Sequence, residues 1–329
     1  MRPWRLQPAA RPGGAGRIAG GRVSRRRAAE ARAPGKLILF GEHAVVYGHP
    51  AVAAAVDRHT TVRLERIAGP TRLLSATVDD ARLLPALATV LPPRGIGVHL
   101  HTTLPVGRGM GSSAALAVAL VRALAALEGR RADVEECVRR GFDIERIFHG
   151  TPSGLDHTVS ALGGAVRYVR GQPPAPIPVA VLPLVVLDTE IAGDTDALVA
   201  GVRARRPAVD ADLAAIGALV DAMVPALARG DLATIGAGMN ENQQRLRRIG
   251  VSSDAVDALV DLARRAGAAG AKLAGAGGGG VVIAVAPDPA PVLAAAARRG
   301  VPAFAVEIRS PRDPADDPAT GTEGPAPPG

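Results

Sequence analysis

The sequence predicts a mixed fold of strands and helices arranged in two domains. Short apolar or alternating runs recur between longer helical patterns from residue 36 to residue 308. Pro173–Pro178 carries four prolines near the middle of the chain and is the natural boundary. Two Gly-rich segments, 107–111 and 275–280, adjoin apolar strands, a placement that suits close backbone approach better than packing. At 329 residues the chain can bury a core in each of two modest domains.

The first domain is expected over 33–172. Lys36 to Phe40 is an apolar run and reads as a strand. Thr60–Arg66 and Ile96–Thr102 alternate and read as two more, the latter placing His99 and His101 on one face. A packed or solvated face is the first reading of those histidines, ahead of a metal site. An Ala/Leu/Val-rich helix follows Ser112 and runs to about Leu127, and a second runs from about Asp133 to His149 with Gly150 as its stop. Leu155–Leu162 is a short helix and Gly164–Arg170 a strand.

The second domain is expected over 173–309. Val179–Leu187 reads as a strand, and helical patterns cover about 194–206, 210–229, 231–249 and 253–266. Strands at Ala271–Leu273 and Val281–Ala286 flank the glycine run, and a helix near Pro291–Arg299 and a strand at Ala303–Ile308 close the domain. Residues 1–32 and 310–329 lack core periodicity and are expected to be disordered tails.

The net charge of +8 invites a nucleic-acid reading. Eight arginines and no acid fall within residues 1–29, however, which leaves the remainder of the chain net neutral. A neutral body lacks the charge excess that draws proteins to phosphate backbones, and aromatic platforms for single strands are scarce. No nucleic-acid partner is expected. No membrane partner is expected either, since no apolar run reaches the ~18 residues of a spanning helix. The lone Cys137 excludes an intrachain disulfide and agrees with a cytoplasmic location.

The strongest chemical signal is Pro105-Val106-Gly107-Arg108-Gly109-Met110-Gly111-Ser112-Ser113-Ala114-Ala115. A Gly-rich turn that opens a helix presents backbone N–H groups to an anion. It is neither a Walker A loop, having no lysine after its last glycine, nor a dinucleotide fingerprint, since its third glycine is misplaced. Phosphates bound there need another cation, and Mg2+ held by a few protein oxygens is the usual one. Ser113 and Glu145 can offer such oxygens, although Glu145 alone reads as a solvated helix residue. Asp156 alone reads first as an N-cap of the 155–162 helix. If Lys36 met Asp156, the carboxylate could take a hydroxyl proton and the ammonium could favour the alkoxide. All basic residues but Lys36 and Lys272 are arginine, and both lysines adjoin Gly-rich segments.

Together, three ordered segments resemble the GHMP kinases: Ala33 to Gly48, Pro105 to Ala115, and Lys272 to Gly280. Within that family, Gly41-Glu42-His43-Ala44-Val45-Val46 and Glu145 to Asp156 look like mevalonate kinases. The resemblance implies an α+β fold whose first domain is like domain 2 of ribosomal protein S5 and whose second is ferredoxin-like. It also implies transfer of the ATP γ-phosphate to the C5 hydroxyl of mevalonate by a homodimer. Asp156 would be the base with Lys36 beside it, and Ser113 and Glu145 would hold Mg2+. Glu42, His43, Ser153, Tyr168, Thr195, Gly277 and Gly278 would line or shape the alcohol site. The rivals are another alcohol, such as phosphomevalonate or a sugar, and a non-catalytic sensor of the same fold. Two features depart from the family's pattern. Asp194-Thr195-Asp196 carries acids where mevalonate kinases often carry a basic residue, and Met110 replaces a common leucine.

Overall fold

The computed structural model describes residues 26–150 and 152–310. Its first sheet is organised by β2 (Ala51–Pro70), a strand long enough to serve three partners. One edge of β2 takes β1 (Ala28–Phe40) along its length, from Ala28 opposite Glu65 to Phe40 opposite Val52. The other edge is divided: β4 (Arg94–Thr102) pairs with residues 60–70, and β5 (Ala165–Tyr168) pairs with 51–54. β3 (Arg72–Ala76) runs parallel to β4, and β6 (Ala175–Ile177) pairs with β5.

Helices α1 (Leu83–Ala88), α2 (Ser112–Leu127), α3 (Val134–His149) and α4 (Leu155–Leu162) accompany this sheet. α2 is apolar nearly all round because it is buried nearly all round, between β1, β2, α3 and α4. Asp133 caps α3 by accepting from Glu136 N.

Two expectations are corrected here. β1 begins at Ala28, so residues 28–32 belong to the sheet rather than to a disordered tail; Ala29 and Ala31 face inward while Glu30 and Arg32 face outward. Residues 26, 27 and 310 are also described, with Arg27 O accepting from Arg66 N and Ser310 Oγ donating to Val179 O, while residues 1–25 and 311–329 lie outside the described residues. The proline segment does not separate the sheets at residue 173 either. Ala175–Ile177 forms β6 at the end of the first sheet's strand order, an edge position where proline's missing N–H is tolerated, so the chain crosses over after Ile177.

The second sheet is antiparallel in the order β10-β7-β9-β8, from β7 (Leu182–Asp188), β8 (Gly270–Ala274), β9 (Val281–Val285) and β10 (Ala303–Ile308). With helices between the first two strands and the last two, this is the expected ferredoxin-like arrangement. Its helices are α5 (Thr195–Ala204), α6 (Asp210–Arg229), α7 (Leu232–Arg248), α8 (Asp254–Arg265) and α9 (Ala290–Ala297). α6 is long and apolar enough to cross a membrane, which a search for unbroken apolar runs misses. Its Leu213, Ile216, Val220 and Leu227 are instead spent in the core.

The strands of this sheet are apolar on both faces because both are covered. Val185, Leu187, Val282 and Leu273 pack in one core with α8. Leu184, Val186, Ile283 and Val285 pack in another with Leu37, Leu39 and Val52 of the first sheet. The two halves therefore share a continuous apolar core. Arg167 bonds Asp221 at 2.8 Å and Arg58 lies 3.7 Å over the Phe304 ring across the same junction.

Candidate active site

The turn between β4 and α2 has the backbone its glycines suggest. Gly107, Gly109 and Gly111 take φ of 72°, 79° and 70°, values that favour glycine. Gly111 is the N-cap of α2 and no side chain caps the helix, which leaves the first-turn N–H groups facing outward for an anion. The turn is clamped from below: Lys36 N donates to Met110 O at 2.9 Å, and Met110 is buried. A Cβ on Gly35 would lie 2.7 Å from that carbonyl, so only glycine lets β1 pass. Arg108 meets Asp188 of β7 at 3.3 Å, tying the turn to the other half of the molecule.

Lys36 and Asp156 meet at this turn. Lys36 Nζ lies 3.1 Å from Asp156 Oδ2 and donates to Gly109 O at 2.9 Å. Lys36 is 3% exposed, while the Asp156 carboxylate keeps 29% of its surface. The N-cap of α4 is Gly154, without a side-chain capping bond, so the capping role that Asp156 suggests by position alone is not the one it plays. The loop before it is held by short contacts. Ser153 Oγ accepts from Leu155 N at 3.3 Å, and the buried Tyr168 hydroxyl donates to Ser153 O at 2.7 Å.

Tyr168 thus braces the loop that leads into Asp156. Tyr168→Phe leaves the Ser153 carbonyl without this donor and is expected to cost about 1 kcal/mol. A lowered melting temperature with a several-fold fall in turnover is the result to look for.

Glu145 projects from α3 into the same place and is 1% exposed. Burial, then the charge of Asp156, pushes its carboxyl up to about 7 against the opposing pull of Ser113 and Lys36. Its Oε1 is buried without a hydrogen-bond partner. A buried carboxylate oxygen with spare capacity, beside a serine hydroxyl and a phosphate turn, suits a hard cation that keeps few protein ligands. The structure adds His149, which the sequence reading passed over: its Nε2 shares a 3.1 Å hydrogen bond with Ser113 Oγ and lies 4.0 Å from Glu145 Oε2. A cavity of about 100 Å³ continues from Ser113 and His149 to Thr60, Val78, Arg82 and Phe148. His99 and His101 lie on the opposite face of β4 and take no part; His99 bonds Ser75 Oγ at 2.9 Å.

The residues expected in the alcohol site divide. His43 is buried, holds φ 59° and donates from Nε2 to Ala276 O at 2.7 Å. Burial holds its pKa below the ordinary value, against the pull of the Ala276 carbonyl. Glu42 is corrected: it is sealed away, paired with Lys272 of β8 and accepting from Asn242 Nδ2 at 3.0 Å. Nothing of Glu42 is left to touch a substrate.

Gly277 and Gly278 are where backbones converge. A Cβ on Gly277 would lie 2.0 Å from Val251 O, and one on Gly193 would lie 2.4 Å from Gly277 O. Thr195 opens α5 just beyond Gly193 and is exposed. The acids beside it have a local reason: Asp194 caps α5 by accepting from Ala197 N at 2.9 Å, and Asp196 sits in the first turn.

The profile of the GHMP kinases N terminal domain matches residues 75–164, and that of the GHMP kinases C terminal domain matches residues 223–302. The chain belongs to the GHMP kinase family. Its relatives include a mevalonate kinase of Pyrococcus horikoshii, 38% identical over 285 residues that span 75% of this chain and 85% of that one. A mevalonate kinase of Aeropyrum pernix is 36% identical over 76% of this chain and 86% of its own length.

Among solved GHMP kinases, the L. major mevalonate kinase in complex with R-mevalonate matches with a TM-score of 0.78 at 28% identity, over 85% of this chain and 96% of that one. The Streptococcus pneumoniae phosphomevalonate kinase in complex with phosphomevalonate and AMPPNP matches with a TM-score of 0.72 at 16% identity, over 85% and 99%. At that identity it shares the fold alone. The turn at 107–111 and the glycine run at 275–280 fall one in each half of this family fold, facing each other: a Cβ on Gly280 would stand 3.1 Å from Arg108 O.

Proposed function

We propose that this GHMP kinase transfers the γ-phosphate of ATP to the C5 hydroxyl of mevalonate, with Mg2+ as cofactor. The observation that carries the reading is the Lys36–Asp156 pair at the mouth of the phosphate turn. The partly exposed Asp156 carboxylate accepts the hydroxyl proton as the oxygen attacks phosphorus and the bond to the departing ADP breaks. Lys36, oriented by Gly109 O, stabilises the charge on the attacking oxygen and on the transferring phosphoryl group. The N–H groups at the start of α2 hold the phosphates in line. Glu145 and Ser113 would hold the Mg2+, and the unpartnered Glu145 Oε1 supports that placing. When bound, the cation neutralises phosphate charge.

Mevalonate is favoured over phosphomevalonate by the relatives' names and by His43 in its Gly-Glu-His turn. The exposed acids Asp194 and Asp196 at the start of α5 would oppose a substrate already bearing a phosphate more than a monocarboxylate wherever it approaches them, an effect that solvent screens. The expected result is a higher kcat/KM for mevalonate than for phosphomevalonate, galactose or homoserine at saturating Mg-ATP. A higher value for any of the others would reassign the alcohol and leave the phosphotransfer standing. A purely sensory role would show as no turnover on any of the four.

A further inference from the structure

We infer that Glu42 and Lys272 are positioning residues: their buried ion pair holds the Gly275–Gly280 loop of the second half against the phosphate turn of the first, and turnover depends on it. The inference rests on the kinase reading above. Glu42 follows β1, the strand that carries Lys36, and Lys272 lies in β8, the strand that leads into the glycine loop. Both side chains are completely buried. Lys272 Nζ donates to Glu42 Oε1 and to Leu273 O, and Asn242 Nδ2 donates to the other Glu42 oxygen at 3.0 Å.

A second tie lies one residue beyond Glu42 and four beyond Lys272, from His43 Nε2 to Ala276 O. His43 holds a positive φ to make it, a conformation that persists in non-glycine residues only where surroundings enforce it. Beyond these ties the loop touches the turn directly. A Cβ on Gly109 would stand 3.9 Å from Gly275 Cα, and one on Gly280 would stand 3.1 Å from Arg108 O. Gly278 N and Gly280 N then donate to Val251 O and Ile191 O at 2.9 and 2.8 Å.

A buried ion pair is weak evidence for stability, since apolar residues of like volume often serve as well or better. What such a pair supplies is a defined geometry. The choice of lysine supports this, in a chain that uses arginine at every other basic position but Lys36. A compact ammonium satisfies Glu42 and Leu273 O together where a planar fork would not fit.

The test compares the full-length wild type with Lys272→Met and with the double variant Glu42→Gln/Lys272→Met, each assayed well below its own melting temperature. The single variant strands a buried carboxylate and should melt lower. The double variant removes both charges and should recover most of that loss. Its kcat should nonetheless stay ~10- to 100-fold below wild type, the scale of a misplaced reacting group, with a smaller change in KM for ATP. Its Gly278 and Gly280 amides should exchange with solvent faster than in wild type.

A double variant that regains turnover along with melting temperature would overturn the inference and leave the pair a structural element. If wild type itself does not phosphorylate mevalonate, the substrate reading fails. Amide exchange then decides the positioning alone: unchanged protection of the loop in the double variant overturns it, and lost protection upholds it.

Discussion

Asp156→Asn is expected to lower turnover by ~100-fold or more while leaving the protein folded, which is the low end for loss of a general base. The substitution keeps shape and removes only the ability to accept the hydroxyl proton. Its structural cost should be small, because Gly154 rather than Asp156 caps α4 and the carboxylate is partly open to solvent. Lys36 keeps its bond to Gly109 O, so its ammonium is not left without a partner. The effect should appear in kcat with little change in KM for ATP, since nothing at the start of α2 is altered. Turnover within a few-fold of wild type, in a variant with normal melting behaviour, would remove Asp156 from this role.

Glu145→Gln should trade function for stability, and pH separates the two. The Glu145 carboxyl titrates near 7 in the fold against an ordinary value of 4.5. The folded state therefore binds this proton more tightly than the unfolded state does. The group's contribution is intact below about pH 4.5 and is lost as pH rises through 7. The loss amounts to about 3 kcal/mol once the group is ionised in both states. In metal-free buffer at alkaline pH, Glu145→Gln should melt above wild type, and the gap should close as pH falls toward 4.5. Added Mg2+ should raise the wild-type melting temperature more than that of the variant. Turnover should fall by ~100-fold or more, as for loss of other groups that stabilise transition-state charge. A variant no more stable than wild type at alkaline pH would contradict the burial of a carboxylate whose Oε1 has no hydrogen-bond partner.

Long, well-punctuated elements were legible in the sequence. α2, α6 and β10 have the limits their patterns suggest, because apolar periodicity and stop signals agree there. α5, α7 and α8 open on Asp194, Asp231 and Ser253, where their patterns begin, and those side chains accept first-turn N–H bonds. What escaped was short or composed of small residues. β3 and α1 have five and six residues and little period to detect. The start of β1 does alternate, with Ala29, Ala31 and Ala33 inward, but alanine is too weakly apolar to separate a strand from an Arg/Ala tail.

The site was legible in its loops and not in its long-range pairings. Lys36 and Asp156 are 120 positions apart, so only family resemblance could bring them together. The same resemblance put Glu42 with the substrate, when its real partner is Lys272, 230 positions away. A buried cation within a strand was the available hint, since a lysine flanked by apolar strand residues needs a counter-charge.

The two lysines have one more consequence, for chemical modification. Guanidinium groups resist acylation, and the only side-chain amines in this chain are those of Lys36 and Lys272. One is 3% exposed beside Asp156 and the other is fully enclosed. Acetyl donors and amine-directed labels therefore find their two side-chain targets hidden while the molecule is folded. Any lysine acylation of the native protein would have to reach Lys36 beside Asp156 or wait for the two halves to come apart at Lys272. The rate of such labelling is a direct clock for that opening.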